Sequence, residues 1–159
     1  MTRRSIARTL VAAVVGSLAF WLFQVLTGGV TIPQYLGDQI AGQGGYPLTL
    51  APLIGWGVHL GVSLSYAFLF AVLATLLPPK PLGRSLGLSL VLAGLLGWIT
   101  TLVTAPAIAV TINLLSRKGF PAQLPGLNTD IDLPLYNHLF FFGVIWTLTV
   151  LIPALRRRA

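Results

Sequence analysis

Four apolar runs, at about residues 8–28, 50–77, 83–115 and 135–155, take up most of this chain. Each is long enough to cross a hydrocarbon core of about 30 Å as a helix. In lipid the backbone must satisfy its own hydrogen bonds, which leaves helices or closed barrels. Long apolar runs without period-two alternation select helices. The predicted fold is therefore all-α: one integral-membrane domain over residues 1–159, a four-helix transmembrane bundle. Charge agrees, because only 8% of the residues are charged, against about a quarter in soluble domains.

The net charge of +7 would in a soluble chain raise the question of nucleic acid. Here the basic residues form short clusters beside the apolar runs, where they set orientation and meet anionic lipid headgroups. No continuous basic face with interleaved aromatics tracks a phosphate backbone, so no nucleic-acid partner is expected. The absence of cysteine removes disulfides, thiolate metal sites, iron–sulfur clusters and covalently attached haem.

Arg3, Arg4 and Arg8 precede the first run, which is apolar from Leu10 to Leu26 apart from Ser17 and Gln24. It exceeds a signal-peptide core and lacks a small-x-small cleavage pattern before Gly28, so a retained first span is expected. Thr27 to Thr49 is too polar and too broken to span; a short interfacial helix near Ile32 to Ile40, carrying Tyr35, is predicted within it. Pro52 suits the first turn of the second span. Pro78-Pro79-Lys80-Pro81 ends that span, and the short link predicts that the second and third spans are antiparallel neighbours. The third run, Leu82 to Leu115, would be roughly 50 Å long as one helix, so a bend is predicted at Thr104-Ala105-Pro106. Asn128, Asp130 and Asp132 alternate like cation ligands but lack the twelve-residue calcium pattern, and read as turn and capping residues.

Two stripes of small residues suit close helix packing: Gly57, Gly61 and Ser65 in the second span, and Ser89, Ala93 and Gly97 in the third. Trp21 and Trp98 precede His59 and His138 by nearly equal intervals, each across a long loop. That spacing suggests two repeated helical hairpins, related by an axis along the membrane normal.

His59 and His138 are the only histidines, and an ionisable group inside a span calls for a reason. Trp56, His59, Ser63, Tyr66 and Phe70 fall on one helical stripe. Counting from Pro52 and Pro134, the two imidazoles differ in depth by roughly 5 Å. They are thus candidate cofactor-binding residues, able to face the two sides of a haem or chlorophyll-type ring, with Gly55 and Gly61 leaving room for it and Arg117 and Lys118 as outer propionate partners. In the alternative, His138 beside Asn137 reaches water, and His59 bonds to a hydroxyl or a carbonyl of a neighbouring helix.

No span carries Asp, Glu, Lys or Arg at its centre, so a proton relay or charge-coupled pump lacks its usual group. Ser63 lies one turn from His59, but no carboxylate in the spans can orient that base. No catalytic residue and no metal ligand set is expected. A small, nearly uncharged bundle with small-residue seams and a Phe140-Phe141-Phe142 run fits a non-catalytic accessory or scaffolding subunit of a larger membrane complex, partnered by lipid and by other integral membrane subunits. The alternatives are an electron-transfer subunit holding haem or pigment on His59 and His138, and a small oligomeric transporter lined by Thr100, Thr101, Thr104 and Thr111.

The long loops, together with a histidine followed by small and aromatic residues at His59 to Tyr66 and His138 to Gly143, resemble small four-helix inner-membrane proteins of bacteria whose role is uncharacterised. The resemblance implies an architecture and brings no activity or site residue.

Arg3, Arg4, Arg8, Lys80, Arg84, Arg156, Arg157 and Arg158 fall on one side of a four-span chain, while Arg117, Lys118 and all three acids fall on the other. The positive-inside rule then places both termini in the cytoplasm of a bacterial-type inner (plasma) membrane. A cysteine introduced at Gln43 or Gln123 should react with an impermeant reagent added outside intact cells. Labelling from the cytoplasm alone would reverse the topology.

Overall fold

The computed structural model describes residues 2–77 and 81–156, without the side chain of Leu82. Lys80, Arg157, Arg158 and most of the proline-rich link lie outside the described residues. Every regular element among those described is helical: α1 (Arg3–Leu26), α2 (Ile32–Gly44), α3 (Ala51–Leu76), α4 (Leu82–Leu102), α5 (Thr104–Leu115), α6 (Leu133–Trp146) and α7 (Ile152–Arg156). A 3₁₀ turn at Leu48–Leu50 leads into α3, and a π-helical segment at Thr147–Leu151 joins α6 to α7. Four helical stretches are long and apolar enough to cross a membrane: Arg3–Leu26, Leu48–Leu76, Gly83–Leu102 and Leu133–Arg156.

The spans pack in the order α3, α1, α6, α4, with α3 and α4 closing the bundle only loosely. The second and third spans are thus neighbours, but each packs more closely on another helix than on the other. The reason lies in the small residues. Ser89, Ala93 and Gly97 are buried toward α6, and a Cβ added at Gly97 would stand 3.2 Å from Leu139 Cα. On α1, Ala12, Ala13, Gly16 and Ser17 face inward while Val11, Val14, Leu18 and Leu22 face outward. This small-in, large-out arrangement suits a helix that packs closely on its neighbours and turns its bulk to lipid. The main core joins Phe20 of α1, Phe70 of α3, Leu96 of α4 and Phe141, Phe142 and Ile145 of α6.

The third apolar run is two helices rather than one bent helix. The break falls at Val103, which leaves Pro106 in the first turn of α5, where its missing N–H is tolerated. The carbonyl that Pro106 cannot serve is that of Leu102, and it accepts instead from the Asn128 N–H at 3.0 Å. Pro153 poses the same difficulty near the end of the chain. There the backbone widens into the π-helical segment just ahead of it.

The helix expected near Ile32 to Ile40 runs to Gly44 and lies against the start of α3. Gln24 of α1 anchors its first turn by accepting from the Ile32 N–H at 2.9 Å. The contact between α2 and α3 is backbone against backbone: the Pro33 carbonyl meets Gly55, and the Ala51 carbonyl meets Gly37. Leu36 and Ile40 of α2 and Ile112 of α5 then form a second small core. Ser116 donates to the Ile40 carbonyl at 3.4 Å and Tyr46 to the Leu115 carbonyl at 2.9 Å, which ties α2 to the end of α5. Arg117 stacks on Tyr46 at 5.1 Å and Lys118 bonds Gln43 at 2.9 Å, so both are engaged at this loop end.

Gly55→Ala should force α2 off α3 and cost about 1–3 kcal/mol or more. Gly57→Ala, two residues away with nothing near its Cβ position, should change stability by less than about 0.5 kcal/mol. Thermal midpoints in one detergent compare the two, and equal losses would mean that α2 does not dock as described.

Candidate functional site

Toward the loop end, α1, α3, α5 and α6 enclose a cavity of about 320 Å³, and both histidines line it. Its wall is mostly apolar, with Val58, Val62, Ile108 and Phe141, and its polar members include Ser63, Thr104, Asn137 and Tyr66. Little direct packing joins α3 to α5, whose residues line opposite parts of this wall.

His59 is buried on α3, and its Nε2–H donates across to the Ser17 carbonyl of α1 at 3.2 Å. Ser17 of α1 thus provides the carbonyl of a neighbouring helix that a buried histidine needs. His138 is also buried, rather than reaching water beside Asn137. Its Nδ1–H donates to the Pro134 carbonyl one turn earlier at 2.8 Å. A carbonyl only accepts, so the nitrogen facing it carries the proton. In the neutral ring the second nitrogen is then bare: Nδ1 of His59 and Nε2 of His138.

The bare Nε2 of His138 lies 3.4 Å from Thr104 Oγ1. Thr104 has already given its hydroxyl hydrogen to the Thr100 carbonyl at 2.7 Å. Two lone pairs therefore face each other, and the site lacks a donor. Asn137 adds to this, because it is 1% exposed and its Oδ1 has no partner. A buried amide without partners is costly, by about 1–3 kcal/mol. Periodicity alone marked His59, Ser63 and Tyr66 as one stripe; Asn137 and Thr104 acquire their significance only from the fold.

Phe20 packs against both imidazoles, with ring centroids 5.3 Å from His59 and 5.5 Å from His138. A flat macrocycle held by both histidines would have to displace Phe20 from these contacts. The glycines expected to make room do not do so: the Pro33 carbonyl fills the space at Gly55, and Gly61 faces out of the bundle. Thr100, Thr101 and Thr111 donate to carbonyls of their own helices, and Thr104 donates back across the break to the Thr100 carbonyl, all at 2.7–2.8 Å. These bonds reinforce the run on both sides of its break, and Thr104 and Thr111 also line the cavity. Asn128 and Asp132 do turn and capping work: Asn128 Oδ1 accepts from the Asp130 N–H at 3.1 Å, and Asp132 accepts from the Leu135 N–H at 3.5 Å.

The two small-residue stripes part company. Ser89, Ala93 and Gly97 lie in the α4–α6 interface, with Ser89 Oγ accepting from Trp146 Nε1 at 2.9 Å. Gly57, Gly61 and Ser65 are exposed on the face of α3 turned away from its own core, and neither glycine has an atom near its Cβ position.

No protein-family profile, curated protein or solved structure matches the chain. The resemblance to small bacterial inner-membrane proteins thus stays with architecture, and the chemistry must be read from the site.

Proposed function

We propose that this protein is a small non-catalytic membrane subunit whose cavity holds a largely apolar molecule bearing a hydrogen-bond donor, such as a hydroxyl. The observation that carries the ligand reading is the set of unanswered acceptors around one apolar space: Nε2 of His138 against Thr104 Oγ1, and the unpartnered Asn137 amide. A donor group placed among them relieves the lone-pair contact, while the apolar wall takes an apolar chain. Both histidines hold backbone carbonyls rather than a carboxylate, which argues for binding over general-base chemistry.

The subunit reading rests on a separate observation, the outward Gly57, Gly61 and Ser65 face. The equivalent stripe on α4 receives a helix of the same chain, and the α3 stripe offers the same close approach to a helix of another subunit. The pairing of α1 with α3 and of α4 with α6 also supports two repeated hairpins. A bacterial-type inner membrane, with the arginine-rich end cytoplasmic, remains the location that the charge pattern favours.

Decanol and decane make a matched pair of probes, alike in chain and different in the hydroxyl. Decanol should raise the thermal midpoint of the purified protein and decane should not. Asn137→Leu should fold with unchanged or higher stability, since it removes an unpaired buried amide, yet lose the response to decanol. Equal responses to the two probes, or an unaltered response in Asn137→Leu, would remove the ligand reading.

In mild detergent the native protein should migrate well above its own 17.0 kDa with a stoichiometric companion. Gly61→Leu should run alone while still folded. If both migrate as the same lone species, the subunit reading fails.

A further inference from the structure

At the opposite end of the bundle a second depression, of about 780 Å³, lies between the start of α1, the start of α4 and the π-helical segment with α7. Arg4 and Arg8 enter it from α1 and Arg156 from α7. All three arginines are exposed, and no ion pair occurs among the described residues. The only acids of the sequence are Asp38, Asp130 and Asp132, on α2 or in the stretch leading into α6, at the loop end. Three arginines thus line one space with no carboxylate beside them among the described residues.

The backbone adds to the same field. Both α1 and α4 direct their N-termini to this end, and helix N-termini attract anions. Thr2 caps α1 by accepting from the Ser5 N–H at 3.2 Å, whereas α4 begins without a side-chain cap. Donors of the first turn of α4 are therefore free beside Ser85, which lines the depression. Thr149 also lines it but has given its hydrogen to the Ile145 carbonyl at 2.6 Å. The site is donor-rich and cationic, with a floor of Leu86, Val150, Pro153 and Ala154.

We propose that this depression is a binding site for the phosphate-bearing headgroup of an anionic phospholipid. Guanidinium forks and free helix N–H groups match phosphate oxygens. The site lies at the ends of membrane-length helices, where headgroups lie, and its floor is apolar where a lipid's glycerol and first methylenes would rest. A zwitterionic headgroup would bring its ammonium against three arginines, so net negative charge is selected. Because α1 and α4 each pack mainly on α6 and its continuation, a lipid seated here bridges the starts of α1 and α4.

The full-length protein in detergent is titrated with phosphatidylglycerol, phosphatidylcholine or inorganic phosphate, with the thermal midpoint as readout. Phosphatidylglycerol should raise the midpoint, while phosphatidylcholine and inorganic phosphate should have little effect. Arg4→Gln, Arg8→Gln and Arg156→Gln should each raise the phosphatidylglycerol needed for half the effect by about fivefold, corresponding to roughly 1 kcal/mol per basic residue near a membrane surface. Arg117→Gln, at the other end, should leave it unchanged. Equal effects of the two lipids would overturn the site. An equal effect of inorganic phosphate would make the ligand a free anion instead, and unaltered titrations in all three variants would place the lipid elsewhere.

Discussion

In an apolar surrounding each polar group needs a partner within the chain, and that requirement orders this molecule more than any single apolar contact. Four threonines in the α4–α5 run and Thr149 in the π-helical segment return their hydrogens to carbonyls of their own helical stretch. The Leu102 carbonyl, left without a donor by Pro106, takes one from the distant loop at Asn128. Two imidazoles do the same for Ser17 and Pro134. Among the described residues the buried exceptions are Ser17 Oγ and the Asn137 amide oxygen, and only Asn137, beside the lone-pair contact at His138, belongs to a residue that lines the cavity.

The same requirement explains the position of α2. A helix inserted beside α3 must bring its backbone close without clashing, and Gly37 and Gly55 permit it. Docked there, α2 combines with α5 into a second small core and closes the loop end of the cavity, with Leu36 among the lining residues. The cavity is thus a product of two interruptions, the chain reversal into α2 and the break at Val103.

Much of the architecture was legible in the sequence because it follows from the length of the apolar runs: four helices long enough to cross a membrane, the short helix before α3, and an interruption in the third run. Its position was displaced slightly, to Val103, since a helix that restarts before Pro106 avoids the missing donor. The two small-residue stripes looked alike as patterns, but periodicity says only that a helix can approach, not which one will. Hence the α4 stripe faces α6 while the α3 stripe faces out, and α3 and α4 touch only loosely. The histidines were recognisable as unusual, yet Phe20, which packs on both rings, and the Ser17 carbonyl that holds His59 come from α1, a helix that carries neither histidine. No spacing along the chain encodes that arrangement. The π-helical segment before Pro153 was likewise invisible, because a proline near a helix end reads as an ordinary terminus.

The central claim is that each histidine gives its one proton to a backbone carbonyl and keeps its other ring nitrogen bare. Nitrogen-15 NMR of histidine-labelled protein near neutral pH tests this directly, since protonated and bare ring nitrogens resonate far apart. The account expects two different tautomers in one molecule: His59 protonated at Nε2, and His138 protonated at Nδ1. Assignment follows from His59→Gln and His138→Gln, each of which removes one set of signals. The same tautomer at both sites, or rings charged at both nitrogens, would contradict the hydrogen bonding on which the cavity's acceptor character depends.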